Sequence, residues 1–181
     1  MTCPVVAVRR IIPAVQPLDE NRIRKSFVNC SKGEAQRLAL PAGLAGLDWS
    51  EVDFLGWRDP RAAQNAYLVA PYGDEVVGVA LRAAAKHRSS VKSSLCAFCG
   101  TIHAATDVSL FAARRIGAAG KQGNTVGTYA CADLACGLYL RGKRRPAVHN
   151  PVDRAPLAER VERMLANVAR FLDEVTTNNV G

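Results

Sequence analysis

Residues 96–115 read CAFCGTIHAATDVSLFAARR, a stretch that opens with two cysteines separated by two residues. A second pair follows in GTYACADLACGLYLRGKRR, at residues 127–145. The first spacing is that of a knuckle, a tight turn that holds two thiolates at about 2.3 Å from one Zn²⁺ ion, and a second pair completes a tetrahedral structural site. The sequence therefore predicts one structural zinc ion with four ligands: Cys96, Cys99, Cys131 and Cys136.

The elements between the two pairs follow the order of a treble clef, in which a knuckle leads into a β-hairpin and then a helix. The runs DVSLFAARRI and TVGTYA predict the two strands, and GAAGKQGN predicts a glycine-rich turn between them. The segment ADLACGLYLRGK predicts the helix, with Asp133 near its start and basic residues near its end, as the helix dipole favours. We therefore predict a treble-clef zinc-finger domain over residues 90–145.

Three other interpretations of the cysteines make different demands on their surroundings. A disulfide needs an oxidising compartment, and a redox CxxC motif needs a helix directly after it, whereas GTIHAATDVS follows here. Cysteines that are simply buried need no pairing, and we assign that role to Cys3 and Cys30. His103 is the other potential ligand nearby. Four thiolates leave it no place, so we expect it at the surface or beside the ligands.

The remainder of the chain predicts an α+β fold. Residues 1–17 contain three prolines and predict an irregular arm. Residues 18–85 predict a small mixed N-terminal region: a helix capped by Asp19, a second short helix, an ordered loop PAGLAGLDWSEVDFLGWRDP, and a hairpin in NAYLVAPYGDEVVGVALRA. Apolar residues at helical spacing over residues 156–176 predict a C-terminal amphipathic helix that packs on the body of the protein.

The positive charge of the chain is concentrated around the cysteines. The formal net charge is +8; residues 82–145 carry +9, and the rest of the chain carries −1. A basic field of this kind favours an acidic partner, such as RNA, DNA or an acidic protein face. We predict one continuous partner-binding surface made of the basic residues of this segment: Arg114, Arg115, Lys121, Arg141, Lys143, Arg144 and Arg145.

Several classes of protein are disfavoured. Apolar runs fall short of the ~20 residues that span a bilayer, and the start of the chain lacks a signal-peptide pattern, so we expect a cytoplasmic protein without a membrane partner. A closed four-thiolate site leaves no position for a reactive water, which disfavours a zinc enzyme. His87 and His149 lie in polar connectors, and the glycines match no phosphate loop. We therefore expect a binding protein, with neither catalytic residues nor a small-molecule substrate.

Five segments carry a resemblance to a known family: SFVNCSKGEAQRLALP, LDWSEVDFLGWRDP, AYLVAP, CAFCGTIHAATDVSLFAAR and GNTVGTYACADLACGLYLRGKR. Together, over about residues 18–145, they resemble the FBP-domain proteins. The cysteine segment is similar to the treble-clef zinc finger of the elongation factor G-binding proteins, the group that includes the fusidic-acid resistance proteins.

This resemblance implies a zinc-folded adaptor that binds elongation factor G, at or near the ribosome, and it assigns the same four cysteines as ligands. The resistance proteins also carry a helical-bundle N-terminal domain, whereas residues 18–85 predict short helices and a hairpin here. Direct binding of rRNA or DNA through the basic face is the alternative.

Overall fold

The computed structural model of the protein describes residues 17–85 and 92–177, so nearly all of the predicted N-terminal arm lies outside it. The predicted α+β class is confirmed. Within these ranges, no helix has both the length and the apolar character needed to cross a bilayer. The strands are β1 (Leu55–Arg58), β2 (Asn65–Tyr72), β3 (Glu75–Ala83), β4 (Ser93–Leu95), β5 (Ile102–Ala104), β6 (Val108–Arg114) and β7 (Thr125–Cys131). The helices are α1 (Glu20–Ser26), α2 (Lys32–Arg37), α3 (Gly117–Lys121), α4 (Cys136–Leu140) and α5 (Leu157–Thr176).

Five antiparallel strands form the main sheet, in the order β1-β2-β3-β6-β7, and β4 and β5 form a separate hairpin. The hairpins β2–β3 and β6–β7 occur where the sequence predicts them. They are joined by a short ladder in which Leu81, Arg82 and Ala83 of β3 pair with residues 111–113 of β6. The strands of the predicted mixed region and of the predicted zinc finger therefore share one sheet.

One face of the sheet is covered by α5, which confirms that the C-terminal helix packs on the body of the protein. Arg115 donates a hydrogen bond to the carbonyl of Glu174, and Tyr72 donates one to Asp173, so residues at the ends of β2 and β6 both hold the last turns of α5. The helix buries one stripe of apolar side chains against the sheet: Met164, Leu165, Val168, Phe171, Leu172 and Val175.

The opposite face is covered by α1 and α2, but only over β1 to β3. Asp19 caps α1 as predicted, accepting a hydrogen bond from the amide of Arg22 at 2.7 Å. Ser31 and Glu34 form a reciprocal capping box at the start of α2. No described helix lies over β6 and β7 on this face, and Tyr129 of β7 is 55% exposed there.

Two local features differ from the sequence predictions. The segment predicted as an ordered loop contains β1, and the segment predicted as a turn contains α3. β1 also contacts the loop between the second pair of cysteines. A Cβ atom at Gly56 would lie 2.6 Å from Cβ of Leu134, so only glycine allows the two segments to approach this closely.

Candidate metal centre

The four cysteines converge from three parts of the fold. Cys96 follows β4 and Cys99 lies in the turn after it, while Cys131 ends β7 and Cys136 begins α4. Their sulfur atoms all lie within 4.8 Å of one another. The Sγ atoms of Cys96 and Cys136 are 3.7 Å apart, and those of Cys99 and Cys131 are 3.6 Å apart. A tetrahedral Zn²⁺ ion with bonds of about 2.3 Å places its sulfur ligands about 3.8 Å apart, so the cluster fits one structural zinc.

The knuckle that holds the first pair is formed by local hydrogen bonds. The amide of Gly100 donates to the carbonyl of Cys96 at 2.9 Å, and the amide of Cys96 donates to Thr101 at 3.0 Å. Gly100 has a φ of 70°, in the left-handed region that glycine adopts without strain. The amide of Ala97 donates to Tyr129 of β7 at 2.7 Å, which attaches the knuckle to the edge of the main sheet.

The second pair is brought together by a sharp turn between β7 and α4. Leu134 has a φ of 56°, which is uncommon for a residue other than glycine, and its amide donates to the carbonyl of Cys131 at 2.8 Å. Asp133 accepts hydrogen bonds from the amide of Ala135 and from the hydroxyl of Tyr139, both at 3.0 Å. This turn directs Cys131 and Cys136 to the same side.

Most of the site is shielded from solvent. Cys96, Cys131 and Cys136 are fully buried, and Cys99 is half-buried. Hydrogen bonds from the neighbouring thiols, that of Cys131 first, lower the pKa of Cys96. The pKa of Cys136 is raised, first by its hydrogen bond with Cys131 and then by the other thiols and by burial. A bound Zn²⁺ ion supplies the positive charge that allows all four groups to be thiolates together.

His103 lies beside the cluster, which is one of the two positions expected for it. The side chain is fully buried, and its Nε2 atom is 3.3 Å from Sγ of Cys131. A zinc-bound thiolate can only accept a hydrogen bond, so Nε2 is the protonated nitrogen in that state. Its Nδ1 atom has no partner among the described residues. The ring meets Tyr139 edge-on, with 4.6 Å between centroids.

The basic residues form two groups, not the one continuous surface that was predicted. In the β6–β7 register, Arg114 faces Thr125, whereas Val108 faces Cys131 at the other end. Six residues separate Arg114 from Val108, which is about 20 Å of strand. Arg114, Arg115 and Lys121 therefore lie at the end of the hairpin far from the cysteines. The other four follow α4, near the cysteine cluster: Arg141, Lys143, Arg144 and Arg145.

Most of the group after α4 is paired with acidic residues. Arg141 binds Asp53 through two hydrogen bonds of 2.5 and 2.9 Å. Lys143 pairs with Glu51, and Arg144 pairs with Asp133. Arg145 is exposed, without a hydrogen-bond or ion-pair partner in residues 17–85 and 92–177. Sequence reasoning missed these acidic partners, because Glu51 and Asp53 lie far from α4 in the chain and follow no local pattern.

The fold and the four-cysteine cluster together define a treble-clef zinc-finger protein. The chain belongs to the FBP family: the family model described as FBP C-terminal treble-clef zinc-finger matches residues 22–175, which include all four cysteines. The structure of the fusidic acid resistance protein FusC has a similar fold, with a TM-score of 0.55 and 17% sequence identity. The match covers 90% of this chain but 60% of FusC. Among curated proteins, no sequence matches this chain.

Proposed function

We propose that this protein is a non-enzymatic, zinc-folded adaptor that binds elongation factor G in the cytoplasm, at or near the ribosome. The observation that carries the proposal is the family match over residues 22–175, which runs through the whole cysteine cluster. The similarity in fold to a fusidic acid resistance protein supports it further, because the sequence resembles the group of elongation factor G-binding proteins that includes the fusidic-acid resistance proteins.

The chemistry of the metal centre agrees with an adaptor. Four thiolates complete the tetrahedral coordination of Zn²⁺, so the ion offers no position at which a water could be activated. Cys96, Cys131 and Cys136 are also fully buried, so their sulfur atoms are out of reach of a substrate. The zinc has a structural role in this proposal: it stabilises the surface with which the adaptor binds its partner.

Direct binding of rRNA or DNA is the second candidate, and the net charge of +8 favours it. The charges near the cluster favour a protein partner instead. Two carboxylates of the N-terminal region, Asp53 and Glu51, neutralise two of the basic residues after α4, and Asp133 neutralises a third. The surface after α4 therefore carries four basic and three acidic side chains. Such a surface attracts a polyphosphate weakly, whereas it can match a protein surface of mixed charge.

The test is a titration of the zinc-loaded protein against purified elongation factor G and against ribosomes, at two salt concentrations. Arg145→Glu changes an exposed, unpaired side chain, and Arg170→Glu on α5 is a control with the same change in charge. We expect Arg145→Glu to weaken binding of elongation factor G and Arg170→Glu to leave it unchanged. Higher salt should weaken the wild-type complex, since exposed charges are screened over about 8–10 Å.

A pull-down from lysate with and without RNase separates the two candidates. Elongation factor G that is retained after RNase treatment supports the adaptor. Loss of all partners together with the RNA would overturn it in favour of nucleic-acid binding. The double change of Arg144 and Arg145 to glutamate is less informative than Arg145→Glu alone, because Arg144 holds Asp133 beside the cysteines.

A further inference from the structure

A groove of about 660 Å³ lies on the sheet face that α1 and α2 only partly cover, with α2 as one wall and the strands as its floor. Its volume falls in the range of about 300–1,000 Å³ typical of ligand sites. Arginines reach it from three elements, α2, β3 and β6. The groove is far from the four-cysteine cluster along β6, since it includes Arg114 and Thr125 at the opposite end of the hairpin. Among its lining residues are Asn29, Arg37, Asn65, Tyr67, Arg82 and Arg114.

One side of the groove is fixed by Asn29, which follows α1. Its Oδ1 atom accepts a hydrogen bond from the amide of Ala80 at 2.7 Å. Its Nδ2 atom donates to the carbonyls of Ala80, at 2.9 Å, and Arg114, at 3.1 Å. This side chain therefore connects β3 to the end of β6 and attaches the α1–α2 segment to the sheet. The groove is a preformed part of the fold.

Two of the three arginines are available to a ligand. Arg82 donates to Asn65 at 2.8 Å. The guanidinium groups of Arg37 and Arg114 are exposed and have no hydrogen-bond or ion-pair partner in the described part of the chain. Both side chains line the groove, as Glu34 does. Both also help to lower the pKa of Glu34, after the larger effect of its hydrogen bonds with Ser31. Each guanidinium offers five N–H donors in a fork that matches a carboxylate.

We propose that this groove binds an extended acidic segment of a protein partner, with carboxylates of the partner held by Arg37 and Arg114. Glu34 and Asp59 also line the groove, and they would repel the continuous phosphates of a nucleic acid. A peptide avoids this repulsion, since its carboxylates can be spaced and its amide N–H groups can donate to acidic side chains. The proposal is independent of elongation factor G, because the groove is separate from the basic group after α4.

The test uses the full-length, zinc-loaded protein labelled with ¹⁵N. The probe is a short synthetic peptide of alternating glutamate and alanine, and the matched probe has glutamine in place of glutamate. We expect the acidic peptide to shift the amide signals of Ala112, Arg114 and Thr125, which line the groove, and the glutamine peptide to leave them in place. The double variant Arg37→Gln/Arg114→Gln should lower the affinity about tenfold, as the loss of two exposed ion pairs predicts.

The control variant is Arg145→Gln/Arg170→Gln, which removes the same charge from two exposed sites outside the groove. It should bind the acidic peptide as the wild type does. Equal weakening by the two double variants would overturn the proposal, because the attraction would then follow net charge alone. Tighter binding of oligouridine RNA, with shifts at the same amides, would overturn it in favour of a nucleic-acid site. Unchanged zinc content in both variants confirms that neither has lost its fold.

Discussion

Asp53 and Arg141 form a buried two-point ion pair that joins the segment before β1 to the end of α4. The two hydrogen bonds measure 2.5 and 2.9 Å, and the side chains are 5% and 14% exposed. Gly137 makes room for the pair, since a Cβ atom there would lie 2.7 Å from Oδ2 of Asp53. The pair attaches the helix that carries Cys136 to the N-terminal part of the chain.

Removal of one partner of this pair should destabilise the whole protein. Asp53→Asn leaves the mostly buried guanidinium of Arg141 without the carboxylate that binds it, so we expect the free energy of unfolding to fall by about 3 kcal/mol. Urea unfolding of Asp53→Asn, Arg141→Met and the double variant measures the coupling. The free energy of unfolding of the double variant should fall by less than the sum of the decreases in the two single variants. Strictly additive losses would show that the pair contributes nothing as a pair.

Loss of a zinc ligand should affect more than the zinc finger itself. Cys96 and Cys131 belong to the same buried cluster as Phe171 and Leu172 of α5. Structural zinc ions contribute on the order of 10 kcal/mol to the folding of zinc-dependent domains, so Cys96→Ser and Cys131→Ser should lose the metal and the ordered structure of residues 92–145. The shared core predicts that amide protection in α5 falls as well, which hydrogen exchange measures.

Cys30→Ser is the control for this experiment. Cys30 is half-buried, lies outside the cluster, and has a pKa raised mainly by burial and further by Glu34. The variant should keep one zinc per chain by metal analysis. Wild-type protein purified without any zinc would refute the assignment of the metal.

His103 should determine how firmly the zinc is held. In the zinc-bound state its Nε2–H group donates to the sulfur of Cys131, and loss of such a partner of a metal ligand typically lowers metal affinity by about 10- to 100-fold. We therefore expect His103→Phe to release zinc faster to a chromogenic chelator. His103→Gln keeps an N–H donor and should recover part of the affinity.

Substitution with Co²⁺ gives a second measurement for His103. A hydrogen bond lowers the energy of the sulfur lone pairs, so its loss in His103→Phe should move the sulfur-to-cobalt charge-transfer band to longer wavelength. If His103 contributed only through packing, His103→Phe would change the stability of the protein and leave the charge-transfer band at its wild-type wavelength.

Stability at alkaline pH should depend on Tyr139. Burial, followed by the hydrogen bond to Asp133 and the charge of that residue, raises the pKa of Tyr139 to about 12. A pKa above the usual value of about 10 means that the folded state holds the phenolic proton more tightly. This contribution to stability is complete below pH 10 and is lost as the pH rises towards 12.

Tyr139→Phe removes this dependence and keeps the ring against His103. At neutral pH the variant should be about 1 kcal/mol less stable than the wild type, because it lacks one hydrogen bond. The difference should shrink between pH 10 and 12. A constant difference in thermal unfolding over that interval would contradict the role given to the hydroxyl.

Cleavage in the connector AAAKHRSSVKSS should not separate the two parts of the chain. Lys86 and Arg88 are sites for trypsin in residues 86–91, which lie outside the described residues. β3 pairs with β6 across the cut, and α5 packs against strands from both sides. We expect the two fragments to co-elute in size-exclusion chromatography and to separate in denaturant. Fragments that elute apart would indicate two independent domains.

Features encoded by neighbouring residues could be predicted from the sequence. The knuckle, the two hairpins, the cap of α1 and the buried stripe of α5 each depend on residues close together in the chain. β1 has only four residues within a segment rich in Gly, Pro and Asp, and pairing with β2 determines its conformation. The β3–β6 ladder and the Asp53–Arg141 pair depend on long-range complementarity, which leaves no periodic signal in a single sequence.

The contact between Leu134 and Gly56 has a consequence for the order of folding. The two cysteine pairs are separated by about 30 residues, so the loop that the metal closes is short and its entropic cost is low. Leu134 reaches Gly56 only after a much longer loop has closed, and contacts of that kind form slowly. Metal capture can therefore precede docking of β1, and it fixes the left-handed turn at Leu134 in advance. Zinc binding then forms in advance the turn at Leu134 against which β1 packs.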